Sequence, residues 1–414
     1  MKRVRRNLFR VVCALVGALA GGLLTMGAAA LTDAEPRPDP PARFEVTPSA
    51  ERPAKFESDA IPKEPSTVAP KRTVLLAWAP GGLPANTQIE LERTRGVRAV
   101  ATIEAGLDWI ESSRSPDGTV LDHTPGGMAI PFENAYVNPA DYAEFVSPAD
   151  RDKVRSLDEG ETLIPRTSED LRGGGTGVVL RLQSGSLTVT GVVDDVTTGG
   201  YEALSAGRAP RRWGVIDRFV LIGLDGRAKT SLVEKRLRSL LEPGQRLRLR
   251  PSGVNPFLRY GDAVLPQLII KASFGEFAAR PIPGDRFFEI EESWRRLNIR
   301  VATLPVVGEV TCHRSLIPQL RAALKEVVAR DLGYTIQPGQ YGGCFAPRFV
   351  SPGPRHRLSH HAWGIAVDFN VSENPTGIRP NLDRRLVAVM REHGFTWGGD
   401  WLVPDGMHFE WVEF

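Results

Sequence analysis

The residues best suited to chemistry lie in two short segments near the C-terminus, Ser359-His-His-Ala-Trp-Gly-Ile-Ala-Val-Asp368 and Trp397-Gly-Gly-Asp-Trp-Leu-Val-Pro-Asp-Gly-Met-His408-Phe-Glu410. His361 and Asp368 flank a glycine and an apolar alternation that reads as a turn entering a strand, and His408 sits in a second strand-like run, Met407–Trp411. Two imidazoles and one carboxylate form a three-ligand set suited to Zn²⁺, with a fourth position open for water. A closed structural site would want another protein ligand, usually a thiolate, and none is spare. The open position therefore points to catalysis.

Asp405 precedes His408 by three residues, with Gly406 between them allowing a tight bend. A partly buried carboxylate there can take a proton from an activated water and return it to a leaving amine. Arg348, in Gly343-Cys-Phe-Ala-Pro-Arg348, is the candidate to stabilise a developing oxyanion. His360 is out of frame with the ligands and reads as a supporting or exposed residue. Ser359 reads as a hydrogen-bonding support, because no Ser/His/Asp relay is apparent. Trp363, Trp397, Trp401 and Trp411 read chiefly as core packing.

The pattern Ser359-x-His361-x-x-Gly364-x-Ala366-x-Asp368 followed by Asp405-x-x-His408 resembles the M15 zinc peptidases. That family includes D-alanyl-D-alanine carboxypeptidases, D-Ala-D-Ala dipeptidases and L-alanyl-D-glutamate endopeptidases. The stretch Gly394-Phe-x-Trp-Gly-Gly-Asp-Trp401 is more similar to the endopeptidase and carboxypeptidase branch than to the dipeptidases. The resemblance covers about residues 305–414. It implies one zinc ion on His361, Asp368 and His408, Asp405 as general base, and Arg348 as transition-state stabiliser. It also implies a small domain with a central antiparallel sheet and flanking helices, and peptidoglycan stem peptides as substrate. Two other readings stand beside this one: a zinc-containing module that binds wall peptide or a partner without turnover, and a functional middle region that the C-terminal part only localises.

Several elements must position these residues. Leu316, Leu320, Ala323, Leu324, Val327 and Val328 give Ser315–Arg330 one apolar helical face. A second helix is expected from an Asn381 cap to His393-Gly394. Cys312 and Cys344 are expected to form a disulfide, contributing about 3–4 kcal/mol by chain entropy.

Upstream, residues 73–300 read as an α+β region of unknown role, in one or two subdomains with a junction near Glu159–Gly175. Val74–Trp78 and Val97–Ile103 read as strands, Gly177–Val193 as a hairpin, Ser231–Leu241 as a helix and Arg246–Arg250 as a strand. Gly173-Gly174-Gly175 lacks the Lys-Ser/Thr of a phosphate loop, and His123 reads as a surface residue. The fold class expected for the whole chain is α+β.

Nine prolines in residues 32–72 predict an extended linker. Before it, residues 1–31 carry five cations and the uncharged run Val11–Leu31, which reads as a retained membrane anchor or a signal peptide. The expected location is single-pass in the cell membrane with an exported body, or secreted after cleavage. Five of the 52 basic residues belong to this leader, so the rest of the chain has 47 bases against 49 acids. Nothing in that balance points to a nucleic-acid partner.

Overall fold

The computed structural model describes residues 73–414, apart from 211–212, 214–216, 227–228 and 352–356. The leader and the proline-rich linker lie outside the described residues, as does His356. The membrane location expected from the leader needs correction. Among the described residues no helix is long and apolar enough to cross a membrane, and the run 11–31 that suggested one lies outside them.

The chain is α+β. Ten strands build one mixed sheet: β1 (Thr73–Trp78), β2 (Val97–Arg114), β3 (Val120–His123), β4 (Ile130–Val137), β5 (Glu161–Pro165), β6 (Val179–Leu182), β7 (Gly185–Val193), β8 (Ala203–Ala206), β9 (Asp217–Leu224) and β10 (Arg248–Pro251). Their order is β10-β1-β9-β2-β4-β8-β5-β7-β6, with β3 beside β2. β2 is 18 residues long. Its first half pairs with β9, its middle with β4 from Ile103↔Val137 to Ile110↔Ile130, and its last residues with β6. The six strands from β2 round to β6 therefore close on themselves, which removes their free edges. Ile110, Phe132, Ile164, Leu180 and Val189 are among the side chains that fill the core they enclose.

Helix Gln267–Phe274 leaves this sheet body and enters a second core. Two hairpins follow, β11 (Ala279–Pro281) with β12 (Phe288–Ile290), and β13 (Ile299–Leu304) with β14 (Gly308–His313). The last sheet has the order β15 (Tyr341–Gly343), β16 (Ala366–Phe369), β18 (His408–Trp411), β17 (Phe395–Trp397), all antiparallel. Helices Leu316–Ala329 and Arg384–Glu392 pack with it. Leu320, Leu324 and Val327 are fully buried on the first helix, as their spacing predicts, whereas Val328, expected on the same face, is exposed.

Two local expectations change. The second helix is capped by Asp383, whose carboxylate accepts the Arg385 N–H at 2.8 Å, rather than by Asn381. Asn381 instead donates its backbone N–H to Asn374 Oδ1 at 2.7 Å. The strand expected at Arg246–Arg250 begins only at Arg248, which leaves Arg246 free to reach elsewhere. Cys312 and Cys344 are bridged, with Cα atoms 5.3 Å apart.

Candidate metal centre

β16 and β18 pair with Asp368 directly opposite His408 and Ala366 opposite Glu410. Alternation along a strand then puts Asp368, His408 and Glu410 on one face, while Val367 and Phe409 point into the core. His361 arrives from the adjoining single turn His360–Trp363. Ser359 Oγ caps that turn by accepting the His361 backbone N–H, and Gly364 ends it in the left-handed region at φ 68°. A Cβ at Gly364 would also stand 2.7 Å from the His313 backbone nitrogen. Glycine at this position is thus required twice over.

The three expected ligands converge. His361 Nε2 lies 3.2 Å from His408 Nδ1 and 3.1 Å from Asp368 Oδ2, and His408 Nδ1 lies 2.9 Å from Asp368 Oδ1. All three side chains are buried, and their donor atoms lie within 4.8 Å of one another. Ligands at about 2.0–2.1 Å around a tetrahedral ion stand roughly 3.3 Å apart. The donor spacing therefore suits a small divalent cation, and so does the chemistry of the set. The cluster can hold a metal ion.

Each imidazole is oriented from behind. His361 Nδ1 meets the Cys344 carbonyl at 2.8 Å, which leaves Nε2 for the metal. His408 Nε2 meets Glu410 Oε1 at 3.2 Å, which leaves Nδ1. Glu410 is itself 3.0 Å from His360 Nδ1. Sequence reasoning assigned no role to Glu410. The signal was present, because a residue two beyond a strand ligand shares its face.

The electrostatics follow from this crowding. Burial alone would raise Asp368, but His361 and His408 beside it hold the carboxyl well below its usual range. Burial disfavours the charged form of His361, whose pKa falls. His408 is also buried, yet hydrogen bonds to Asp368 and Glu410 push it up to about 10. Without metal this imidazole carries a proton between two carboxylates.

Asp405 and Arg348 join the same site. The Asp405 carbonyl accepts the His408 backbone N–H at 3.2 Å, so the Asp405-Gly-Met-His408 bend is closed on itself. Burial raises the Asp405 carboxyl, opposed by His408 and Arg348. Its Oδ1 is buried without a hydrogen-bond partner. Arg348 reaches Asp368 Oδ2 with Nη2 at 3.8 Å, and burial pulls its pKa down. The Trp401 ring lies beside His408, with centroids 5.3 Å apart. Trp363, Trp397 and Trp411 are buried in the core.

A buried His₂Asp cluster beside a carboxylate whose Oδ1 has no hydrogen-bond partner is an arrangement suited to metal-assisted hydrolysis. Comparison with known proteins agrees with that class. A family model described as D-alanyl-D-alanine carboxypeptidase, one of the M15 peptidases, matches residues 353–411 and supports an M15 peptidase domain at the C-terminus. No curated protein matches the chain. Among solved structures, the periplasmic region of MacB from Actinobacillus actinomycetemcomitans is 10% identical, with a TM-score of 0.29 over 43% of this chain and 87% of that one. The extracellular domain of the noncanonic ABC-type transporter YknZ from Gram-positive bacteria is 12% identical, with a TM-score of 0.29 over 43% of this chain and 99% of that one. Likeness at that level assigns neither fold nor function.

Proposed function

We propose that this protein is a zinc-dependent peptidase that hydrolyses peptide stems of peptidoglycan. The observation that carries the reading is the convergence of His361, Asp368 and His408 beside the buried, unpartnered Asp405 Oδ1. The family match over these residues supports the reaction class and favours the bond between two terminal D-alanines over the L-Ala-D-Glu bond within the stem.

When bound, zinc supplies Lewis-acid polarisation of the scissile carbonyl and lowers the pKa of a water towards neutrality. Asp405 takes the proton of the attacking water and delivers it to the departing amine. Its raised pKa suits both halves of that transfer, since a carboxyl nearer neutrality both accepts and returns a proton readily. Arg348 donates to the oxyanion that forms on the former carbonyl oxygen. Glu410 holds the His408 ring in one orientation, and the Cys344 carbonyl does the same for His361.

Incubation of the zinc-loaded protein with purified peptidoglycan, followed by mass spectrometry of released fragments, tests the reading. Release of D-alanine is expected from stems ending in D-Ala-D-Ala. Asp405→Asn is expected to keep the metal and lose about 10²–10⁴-fold in rate. An Asp405→Asn protein that releases product at the wild-type rate would overturn the role of Asp405. Absence of release by the wild type would favour a binding module.

A further inference from the structure

We infer that Asp262, braced by Arg248, is a positioning residue for the loop that carries Asp405, so that the sheet body forms an outer wall of the metal centre. The inference rests on the peptidase reading for its kinetic consequence but not for its structural part.

Residues 398–407 connect the end of β17 to the start of β18 and belong to no sheet. Inside this loop the backbone is tied mainly at its base, where Asp405 N–H donates to the Gly398 carbonyl at 2.9 Å. Gly398 suits that closure, because a Cβ there would stand 2.8 Å from the Asp405 carbonyl oxygen. The far side of the loop is held by another part of the molecule. Asp262 Oδ2 accepts the Leu402 backbone N–H at 2.6 Å. Arg248, at the start of β10, pairs with Asp262 Oδ1 at 3.2 Å through Nε and donates to the Asp400 carbonyl at 3.3 Å through Nη2. Arg246 donates to the Leu402 carbonyl at 2.9 Å and to the Gly377 carbonyl at 3.4 Å. Gly377 N–H in turn donates to the Pro404 carbonyl at 2.6 Å, one residue before Asp405.

The side chain of Leu402 adds packing to these bonds. It lies against the core cluster that contains Leu76, Trp78 and Tyr260 of the sheet body. An aspartate that accepts a backbone N–H while paired with a guanidinium makes one of the stronger kinds of hydrogen bond. The Asp262–Arg248 pair thus grips the loop three residues before the proposed base. A displacement of about 1 Å at a reacting group can cost on the order of 10²-fold in rate.

The test uses the full chain, with and without zinc. Amide hydrogen exchange in Asp262→Ala is expected to accelerate at least ~10-fold at Leu402 and its loop neighbours, with β18 still protected. Zinc content is expected to match wild type. With D-Ala-D-Ala-terminated stem peptides, kcat is expected to fall about 10–100-fold while KM stays within about twofold. Asp262→Asn keeps an acceptor for Leu402 and is expected to recover most of both properties. Should Asp262→Ala not fold, Arg248→Gln is expected to shift exchange and kcat in the same direction by less.

Unchanged exchange over 398–405 would overturn the clamp. Accelerated exchange with unchanged kcat would overturn its role in positioning. If wild-type protein cuts no stem peptide, the peptidase reading fails while the exchange data still decide the clamp.

Discussion

Two of the buried polar clusters among the described residues differ in their chemistry. In the sheet body, Lys271 Nζ lies 2.6 Å from Glu202 Oε2 and 2.8 Å from Glu276 Oε2. Arg172 binds Glu276 and reaches Asp122 Oδ1 at 3.0 Å. Glu202 also accepts from Gln267 Nε2 at 2.8 Å, and Lys271 donates to the Pro131 carbonyl. Every carboxylate in that group faces a fixed cation. At the metal centre, the ligand atoms of Asp368 and His361 gather around the protonated His408, and the nearest fixed cation, Arg348, stands 3.8 Å from Asp368. In the first cluster, two fixed cations are shared among three carboxylates. In the second, the positive charge beside Asp368 is a titratable proton on His408, which a divalent cation can displace.

The contrast can be broken by experiment. The largest effect is expected where the cluster of fixed ion pairs loses a member. Lys271→Met removes the cation shared by Glu202 and Glu276 and leaves buried charge uncompensated, which costs about 3–5 kcal/mol. Denaturant unfolding of the metal-free protein measures it. A loss under 1 kcal/mol would mean that the cluster tolerates an unpaired charge.

His313 comes next, packed against Phe274 and Trp294. Burial, aided by Arg314, lowers its pKa to about 4, so the native state holds it neutral. An unfolded histidine takes a proton near pH 6.5. The contribution of His313 is thus complete above pH 6.5 and is lost progressively down to about pH 4, by about 3 kcal/mol. The stability difference between wild type and His313→Gln, followed over that window, checks the slope.

A smaller effect is expected at the metal centre itself. Glu410→Gln keeps the shape of the side chain but removes the charge behind His408, and zinc affinity is expected to fall about 10–100-fold, measured by competition with a chelator. The smallest readout is a proton. His408 is protonated at pH 7 without metal, because its pKa lies near 10. Zinc binding must therefore release about one proton. Calorimetry in buffers of different ionisation enthalpy counts it, and zero release would contradict the charged state of His408.

How much of this was legible in the sequence depends on how locally each feature is encoded. His361, Asp368, Asp405 and His408 could be picked out because turn, strand and ligand sit within a few residues of each other. The helix Leu316–Ala329 could be read because its apolar spacing is its own. Glu410 lay within reach but needed the strand period to be applied to it. The buried ions could not be found, since Arg172, Glu202 and Lys271 meet only after distant strands pair. The double pairing of β2, first with β4 and then with β6, is hidden for the same reason. Asp262 looked like one acid among many, and only its 2.6 Å bond to Leu402 distinguishes it.

The cystine has a practical consequence. Cys344 contributes one sulfur of the bridge and also the carbonyl that faces His361 Nδ1. Oxidative folding and metal loading therefore meet in one residue. Protein made in a reducing cytoplasm is expected to carry the correct sequence and yet hold its first ligand less firmly, so zinc stoichiometry in a preparation would record the redox history of its folding.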